Sequence, residues 1–535
     1  MKIAFLCDGY NIKSWQGKLI EQLLKEVSYD TVYLINQSVE TDNSTKVSGE
    51  RNKFWKLYQK LDAKIYDHNG ELNSCDIRDY ISSYEVIYLK TDRIRARDYV
   101  ESCRELGIDV ALRLGWRIID GEILSSFKHG ILSLHHGDNR VNRGGPWCFW
   151  EIYLKQNLTG VTLQVLNSEL DAGIVLERGL VKTDFSSLTK NRLAVIEAGN
   201  ALLIKHLKIL DRSGRLLISD DERIIYDKPI YKTPDTYTLL GFFFRICGFV
   251  IRRKLKSLVF NEHWGIAFKR NTKKSVDLSN VKKIKEMKCS FMADPFIITE
   301  NNKSYVFYER YCYKKNKGII SVYDIDKNIH QDIIEEHYHL SFPFVFFHID
   351  KYYMIPQSEN KQIDLYEAVN FPFEWKFKKS LLSSEEKNFS DTVLAFVDNC
   401  WFMFTNEFTR NENSNRFMNI YYANSIFDEF YPHDNNPVKI NDSETRNAGK
   451  IIFLDGDMLR FSQDCSESYG QSMKVMKINK LTKHEYQEES IDKIKPDFFN
   501  DIIGTHTLNF NDEFLVTDYK VRKLKVAVTY ENTFS

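Results

Sequence analysis

The sequence predicts two domains of different class: an α/β domain built on a parallel, Rossmann-like sheet, then an all-β propeller of five blades. Three observations lead there. Strands alternate with helices through the first third of the chain, whereas from residue 261 onward strands follow one another without intervening helices. Within that second region one strand-turn-strand pattern recurs five times at intervals of about 50 residues, the spacing of four-stranded blades. A chain of 535 residues also exceeds what one core supports, so more than one domain is required.

The elements of the first domain, residues 1–212, follow in order. Ile3 to Leu6 reads as a short buried strand, Ser14 to Val27 carries apolar residues at helical spacing, and Thr31 to Ile35 returns to β-branched and aromatic residues. Val86 to Leu89, Val110 to Leu112 and Ile131 to Leu134 are further strands, and a helix within Phe185 to Leu210 ends the domain. Asp8 interrupts the first apolar run, which makes it a strand and not a secretory signal. No Gly-x-Gly-x-x-Gly turn follows that strand, which argues against a dinucleotide site. In such sheets ligands bind beyond the carboxyl ends of the strands, and His135 lies at one of them.

Residues 213–260 form a connector. Within it, 241–258 mixes bulky apolar and basic residues. As a helix it places Arg245, Arg252 and Lys256 on one side and Phe243, Phe244, Val250 and Ile251 on another. That pattern suits either an anionic membrane surface, on the inner face of the membrane, or a connector packed between domains; its charges rule out a membrane span. From 261 to 535 the repeat runs through Ala293 to Glu309, Ser341 to Ile355, Ser390 to Thr405, Asn447 to Phe461 and Thr505 to Thr517. Such units cannot bury their faces singly and are expected to close radially.

Lys plus Arg equals Asp plus Glu at 74 each, so no global basic field recruits nucleic acid. An apolar share of 43% and an aromatic share of 14% describe a folded chain. Nine cysteines without a Cys-x-x-Cys pair read as free thiols, the pattern of a reducing cytoplasm. Oligomeric state is not legible.

The motifs that carry chemistry lie in the first domain: Ser133-Leu134-His135-His136-Gly137-Asp138, then Arg143-Gly144-Gly145-Pro146, Gly160-Val161-Thr162 and Leu170-Asp171-Ala172-Gly173. In this order they resemble the formyltransferase family, which includes methionyl-tRNA and sugar N-formyltransferases, with Ser133 standing where that family has an asparagine. The resemblance implies the formyltransferase fold and 10-formyltetrahydrofolate as cofactor. It also implies that His135 stabilises the oxyanion, that Asp171 orients it and assists proton transfer, and that Leu114, Gly115, Trp116 and Arg117 cradle the pterin, with Asp171 alongside. Ser133 keeps one donor where an amide has two. His136, Asp138 and Arg143 are candidate substrate contacts. Read blandly, His135 and His136 are structural and Gly115 supplies only a tight turn. No second Cys or His cluster follows His135, His136 and Asp138 at zinc-like spacing, and no metal is expected.

The repeats resemble a second family. Met292-Ala293-Asp294-Pro295-Phe296, Phe371-Pro372-Phe373-Glu374-Trp375, Gln463-Asp464-Cys465, Tyr469-Gly470 and Gly504-Thr505-His506-Thr507 look like the five-bladed propeller at the N-terminus of plant glucosamine inositolphosphorylceramide transferases. That resemblance implies a carbohydrate setting. Asp294, Asp391, Arg446, Gln463, Asp464 and His506 then either bind a glycan or close the hub by hydrogen bonding, and Glu309 and Glu407 are candidate acids should the propeller hydrolyse glycosides. Together the halves predict formyl transfer to an amino sugar, nucleotide-linked or part of a surface-polysaccharide precursor. The alternatives are a glycan-binding scaffold with a decayed transferase domain, or a glycosidase or glycosyltransferase centred on the propeller. Formylation of initiator transfer RNA fits poorly with a neutral chain ending in a propeller.

Overall fold

The structure, a computed structural model, describes residues 1–37, 53–82, 84, 86–91, 97–115, 119, 121–169, 172–218, 226–228, 230–271, 276–409 and 413–525. The chain divides into two compact units, Met1–Ile251 and Arg252–Ser535.

The first unit contains strands β1 (Lys2–Asp8), β2 (Asn11–Lys13), β3 (Thr31–Gln37), β4 (Ser74–Asp76), β5 (Val86–Thr91), β6 (Val110–Arg113), β7 (Ile131–His135), β8 (Leu158–Val165) and β9 (Ile174–Lys182). Its helices are α1 (Ser14–Glu26), α2 (Lys53–Tyr66), α3 (Arg78–Ile81), α4 (Arg97–Glu105), α5 (Phe149–Tyr153), α6 (Leu188–Ser213) and, as far as Ile251, α7 (Thr236–Val259). Seven strands form one sheet in the order β5-β3-β1-β6-β7-β8-β9. The pairs from β5 to β7 are parallel, while β8 and β9 run antiparallel at the edge, so the sheet is mixed where the sequence predicted a parallel one. At the centre, Ile3 to Cys7 are all buried, as expected of a strand covered on both faces.

Helix α6 fixes the unit's packing. Its Ser187 N-cap accepts from the Lys190 amide at 3.2 Å and donates to Asp62 of α2 at 3.0 Å, and Asp62 also accepts from the Thr189 amide at 2.7 Å. The exposed amides of a helix start thus hold α2 against α6 through one buried carboxylate. Glu177 of β9 bonds Lys205 and His206 of α6, both at 2.9 Å. Burial opposes ionisation of Glu177, but these two partners outweigh it and hold its carboxyl at about 2.

The second unit is a ring of five antiparallel sheets. Four blades start at inner strands Ser290–Glu300, Leu340–His348, Asn388–Val397 and Ile452–Leu454 and run outward in chain order. The fifth is composite: Phe260–Arg270 pairs with Phe514–Leu524, which pairs with the inner strand Leu508–Phe510. Both ends of the propeller sequence therefore share one sheet. All five repeats read from the sequence fall on an inner strand and its neighbour.

Three inner strands carry a bulge at corresponding places, between Ala293 and Phe296, Ser341 and Phe344, and Ser390 and Val393. The residue inside each has a positive φ without being glycine: Asp294 at +53°, Phe342 at +42° and Asp391 at +49°. Such strain concentrates where side-chain direction matters.

Arg460 is fully buried in the last chain-ordered blade, bonded to Glu488 at 2.7 and 2.9 Å, with Lys439 3.0 Å from the same carboxylate. Burial resists ionisation of Glu488, yet Arg460 and Lys439 overcome it and hold the carboxyl at about 2, below its ordinary 4.5. Glu488→Gln leaves a buried guanidinium without its counter-charge and should cost about 3–5 kcal/mol in denaturant titrations at pH 7. Because the folded carboxyl is depressed, its stabilisation is complete above pH 4.5 and falls as pH drops toward 2, so the gap between wild type and variant should narrow over that window.

Candidate active site

In the first unit the site is built on the carboxyl ends of β6 and β7. Side chains two apart on a strand share a face, so Ser133 and His135 point the same way. Arg113, from the adjacent β6, brings Nη1 to 3.5 Å from the Ser133 hydroxyl and donates Nε–H to the Gly115 carbonyl at 3.2 Å. His135 Nε2 lies 2.9 Å from the Asn142 carbonyl, which only accepts and so keeps the proton on Nε2. The Asn142 amide donates to Glu151 at 2.8 Å. Burial raises Glu151 above the ordinary carboxylate range.

His136 is half-buried, with Trp147 tilted over it at 4.5 Å and Trp15 edge-on at 5.9 Å. Enclosure by these rings, then the neighbouring His135, Arg192 and Arg113, pushes it down to about 3, so it stays neutral at physiological pH. Its Nε2, with Asn142 Oδ1 and Glu151 Oε2, is buried without a hydrogen-bond partner. These three polar atoms beside His135 are suited to a polar ligand.

Asp138 is held by Arg140 at 2.9 and 2.7 Å, and Arg178 stands 3.8 Å away. Burial opposes its charge, but Arg140 keeps it below the usual carboxylate range. Arg143 donates to the Asn139 carbonyl at 3.0 Å and lies over the Tyr226 ring. Asp138 and Arg143 therefore frame the loop after β7. Two motif glycines are explained by close approach: a Cβ on Gly160 would sit 2.4 Å from the Asp138 amide nitrogen, and one on Gly173 would sit 2.3 Å from the Val165 carbonyl.

Leu114 and Gly115 both donate backbone N–H to the Leu6 carbonyl, at 3.1 and 3.2 Å, and Gln16 bonds the Leu114 carbonyl. Gly115 has no positive φ; a Cβ there would lie 3.1 Å from the Asp8 amide, so it serves close packing. Trp116, Arg117 and Asp171 lie outside the described residues.

The second unit gathers a distinct polar group from its inner strands. Asp391 pairs with Arg446, whose Nη2 is 3.3 Å from Oδ1 and whose Nε also bonds it, and accepts from Gln463 Nε2 at 2.8 Å. Arg446 also lies over the Tyr469 ring at 5.0 Å. Asp294 accepts from Thr507 at 2.9 Å and from the Phe342 amide at 3.2 Å, and His506 Nε2 is 3.6 Å away. His506 Nδ1 is 2.5 Å from Asp518, and Trp264 stacks on the imidazole at 3.9 Å. Single ligand atoms of Asp294, His506 and Asp518 lie within 4.8 Å of one another, a set that could hold a cation.

Burial, with Asp391 and Asp518 adding to it against His506, raises Asp294 to about 6. Burial followed by Asp294, Asp391 and Asp518 lifts Glu309 well above its ordinary value. His506 is pushed down by burial but raised overall by Asp518 and Asp294. The arrangement thus sets Glu309, raised by burial and by the neighbouring carboxylates and 3.4 Å from His339 Nε2, apart from Asp391, which is anchored by arginine. Glu407 bonds Lys387 and Tyr421, and Asp464 faces Lys493 at 2.7 Å, so neither joins the group. Arg113, Glu151, Trp264 and Asp518 are additional to the residues read from sequence.

Asp294→Asn tests the electrostatics. Because the folded pKa is raised from 3.8 to about 6, ionisation of Asp294 destabilises the fold increasingly as pH climbs through that interval and fully above it. Asparagine tolerates the positive φ, so the variant should be more stable than wild type at pH 7.5, by about 1–3 kcal/mol, and the difference should vanish below pH 4 in thermal melts.

Residues 275–497 match the family described as glucosamine inositolphosphorylceramide transferase 1, N-terminal. The chain is 34% identical over 208 residues to glucosamine inositolphosphorylceramide transferase 1 of Oryza sativa subsp. japonica, an alignment covering 37% of this chain and 28% of the rice protein. It thus spans about a quarter of that relative's length. It is also 20% identical over 152 residues to methionyl-tRNA formyltransferase of Bacteroides fragilis, covering 28% of this chain and 43% of that one. Among solved structures, an N-formyltransferase from Helicobacter canadensis, in complex with folinic acid and dTDP-3-aminofucose, aligns with a TM-score of 0.30 at 12% identity, over 57% of this chain and 95% of that chain. The chain therefore combines similarity to formyltransferases with a propeller region that matches the N-terminal family of glucosamine inositolphosphorylceramide transferase 1.

Proposed function

We propose that the protein is a transferase of glycoconjugate synthesis whose first unit moves a formyl group from 10-formyltetrahydrofolate to the amine of an amino sugar, with a glycan held at the propeller. The observation that carries this reading is the alignment of Ser133 and His135 on one face of β7, flanked by Arg113. The folate supplies an activated formyl group. Attack by the amine forms a carbon–nitrogen bond, the bond to the folate nitrogen breaks, and one proton leaves the amine while another goes to the departing nitrogen.

The residues fit that demand. Negative charge builds on the formyl oxygen, and His135, Arg113 and Ser133 are the donors nearest to hand. The Asn142 carbonyl fixes the imidazole with its hydrogen on Nε2, because only an N–H can satisfy it. Arg113 offers a charged donor where Ser133 is shorter than the asparagine of the resembling family. Asp171 takes the proton-transfer role that the resemblance assigns it. The backbone around Leu114 and Gly115, pinned to β1 and α1, is the surface against which a pterin packs. We place this chemistry in the cytoplasm.

A second reading is favoured by Glu309 and Asp294, two carboxyls raised in one buried group, and places glycoside or glycosyl-transfer chemistry in the propeller. The two are separated by one pair of variants. Titration calorimetry with a stable 10-formyltetrahydrofolate analogue should show saturable binding, and formylation of nucleotide-linked amino sugars should fall by about a hundredfold or more in His135→Ala. Absence of binding by the folded protein overturns the formyl-transfer reading. Sugar-transfer or hydrolytic activity that survives His135→Ala and disappears in Asp294→Asn would establish the second.

A further inference from the structure

Helix α2 has a face that the proposed reaction does not use. Leu57, Leu61 and Ile65 are each more than half exposed, at 55, 52 and 56%, and recur at helical spacing as one apolar stripe. Alongside it Lys53, Lys56, Lys60 and Lys64 form a second exposed stripe. The helix has a single acid, Asp62, which is buried and committed to the start of α6. The inner side of α2 is anchored: Trp55 and Tyr58 meet Phe242 of α7 at 6.5 and 5.6 Å, and Tyr58 meets Phe243 at 5.1 Å. Neighbouring α7 shows the same habit. Between Thr236 and Val259 it contains no acid, and it exposes Leu240, Phe244 and Ile251 along one line. Of the arginines read from sequence as its basic side, Arg245 is packed over Tyr153.

We propose that the exposed face of α2 rests on an anionic lipid surface. Exposed leucines beside a row of lysines, with no acid among them, are what an interfacial helix presents: the apolar stripe enters the headgroup boundary while lysine stems reach back to phosphate. A protein partner would require acids placed opposite each lysine, whereas a charged bilayer supplies them anywhere. In a chain of zero formal net charge the concentration of lysines on one short helix is local. Among the described residues no helix is long and apolar enough to cross a membrane, so the contact is peripheral.

The test is co-sedimentation of the full chain with vesicles of phosphatidylcholine alone and with roughly a third phosphatidylserine. Binding should be confined to the anionic vesicles and should weaken as salt is raised. Lys56→Gln/Lys60→Gln should lower it by roughly 25-fold, at about fivefold per lysine, and Leu57→Gln/Leu61→Gln should lower it at least as much. All four side chains are exposed, so thermal melts of both variants should match wild type. Failure of wild type to bind anionic vesicles overturns the proposal, as does unchanged binding by both variants. A concentration-dependent dimer that the leucine pair abolishes, without vesicle binding, would assign the face to a second copy of the chain and equally overturn it.

Discussion

The propeller depends on one buried carboxylate, Asp518. It sits on the strand that joins the two ends of the ring and accepts from the amides of His506 at 2.8 Å, Thr507 at 3.1 Å and Asp294 at 3.3 Å, while His506 Nδ1 lies against it. The first blade and the closing blade are therefore tied by a single charged group shielded from water, where hydrogen bonds to an anion are worth most. The same ties position Asp294 and His506, so ring closure and the assembly of the polar centre are one event. Asp391, Arg446 and Gln463 form a second knot, which fastens the third inner strand to the blade that follows it.

The sheet unit solves a different problem. Its polar residues lie at strand ends and in the loop after β7, and their positions are set by packing that the motifs themselves create: Gly160 lets the Asp138 backbone approach β8, and Thr162 donates to the Gly137 carbonyl at 2.9 Å. The motif residues hold the loop in place, so His135 emerges from a braced segment. Arg113 reaches the same face from the next strand and stands beside the Ser133 hydroxyl.

Much of this was legible beforehand. Strand-helix alternation identified the first sheet, and the five strand pairs of the ring were read at the right positions because the repeat carries its own register. Contacts between distant segments were not legible. Nothing in the order of residues says that β6 and β7 are neighbours, and hence that Arg113 stands beside Ser133; nor does local sequence bring Trp264 onto His506 from the other end of the propeller. The positive φ of Asp294 and Asp391 is likewise a property of bulges that appear only when strands pair. Gln463 and Asp464 give the clearest lesson. As consecutive strand residues they must face opposite ways, and the structure sends one to Asp391 and the other to Lys493.

The composite blade also has a bearing on how the chain is made. Phe260–Arg270 is translated well before its partner Phe514–Leu524, so until that partner emerges the ring carries an open edge strand with unpaired amides and carbonyls. The first unit can fold before that point, while the propeller acquires its cooperativity only in its closing residues. Stops before Phe514 should therefore yield aggregation-prone products and not smaller working propellers, so the ring has no stable form with fewer blades.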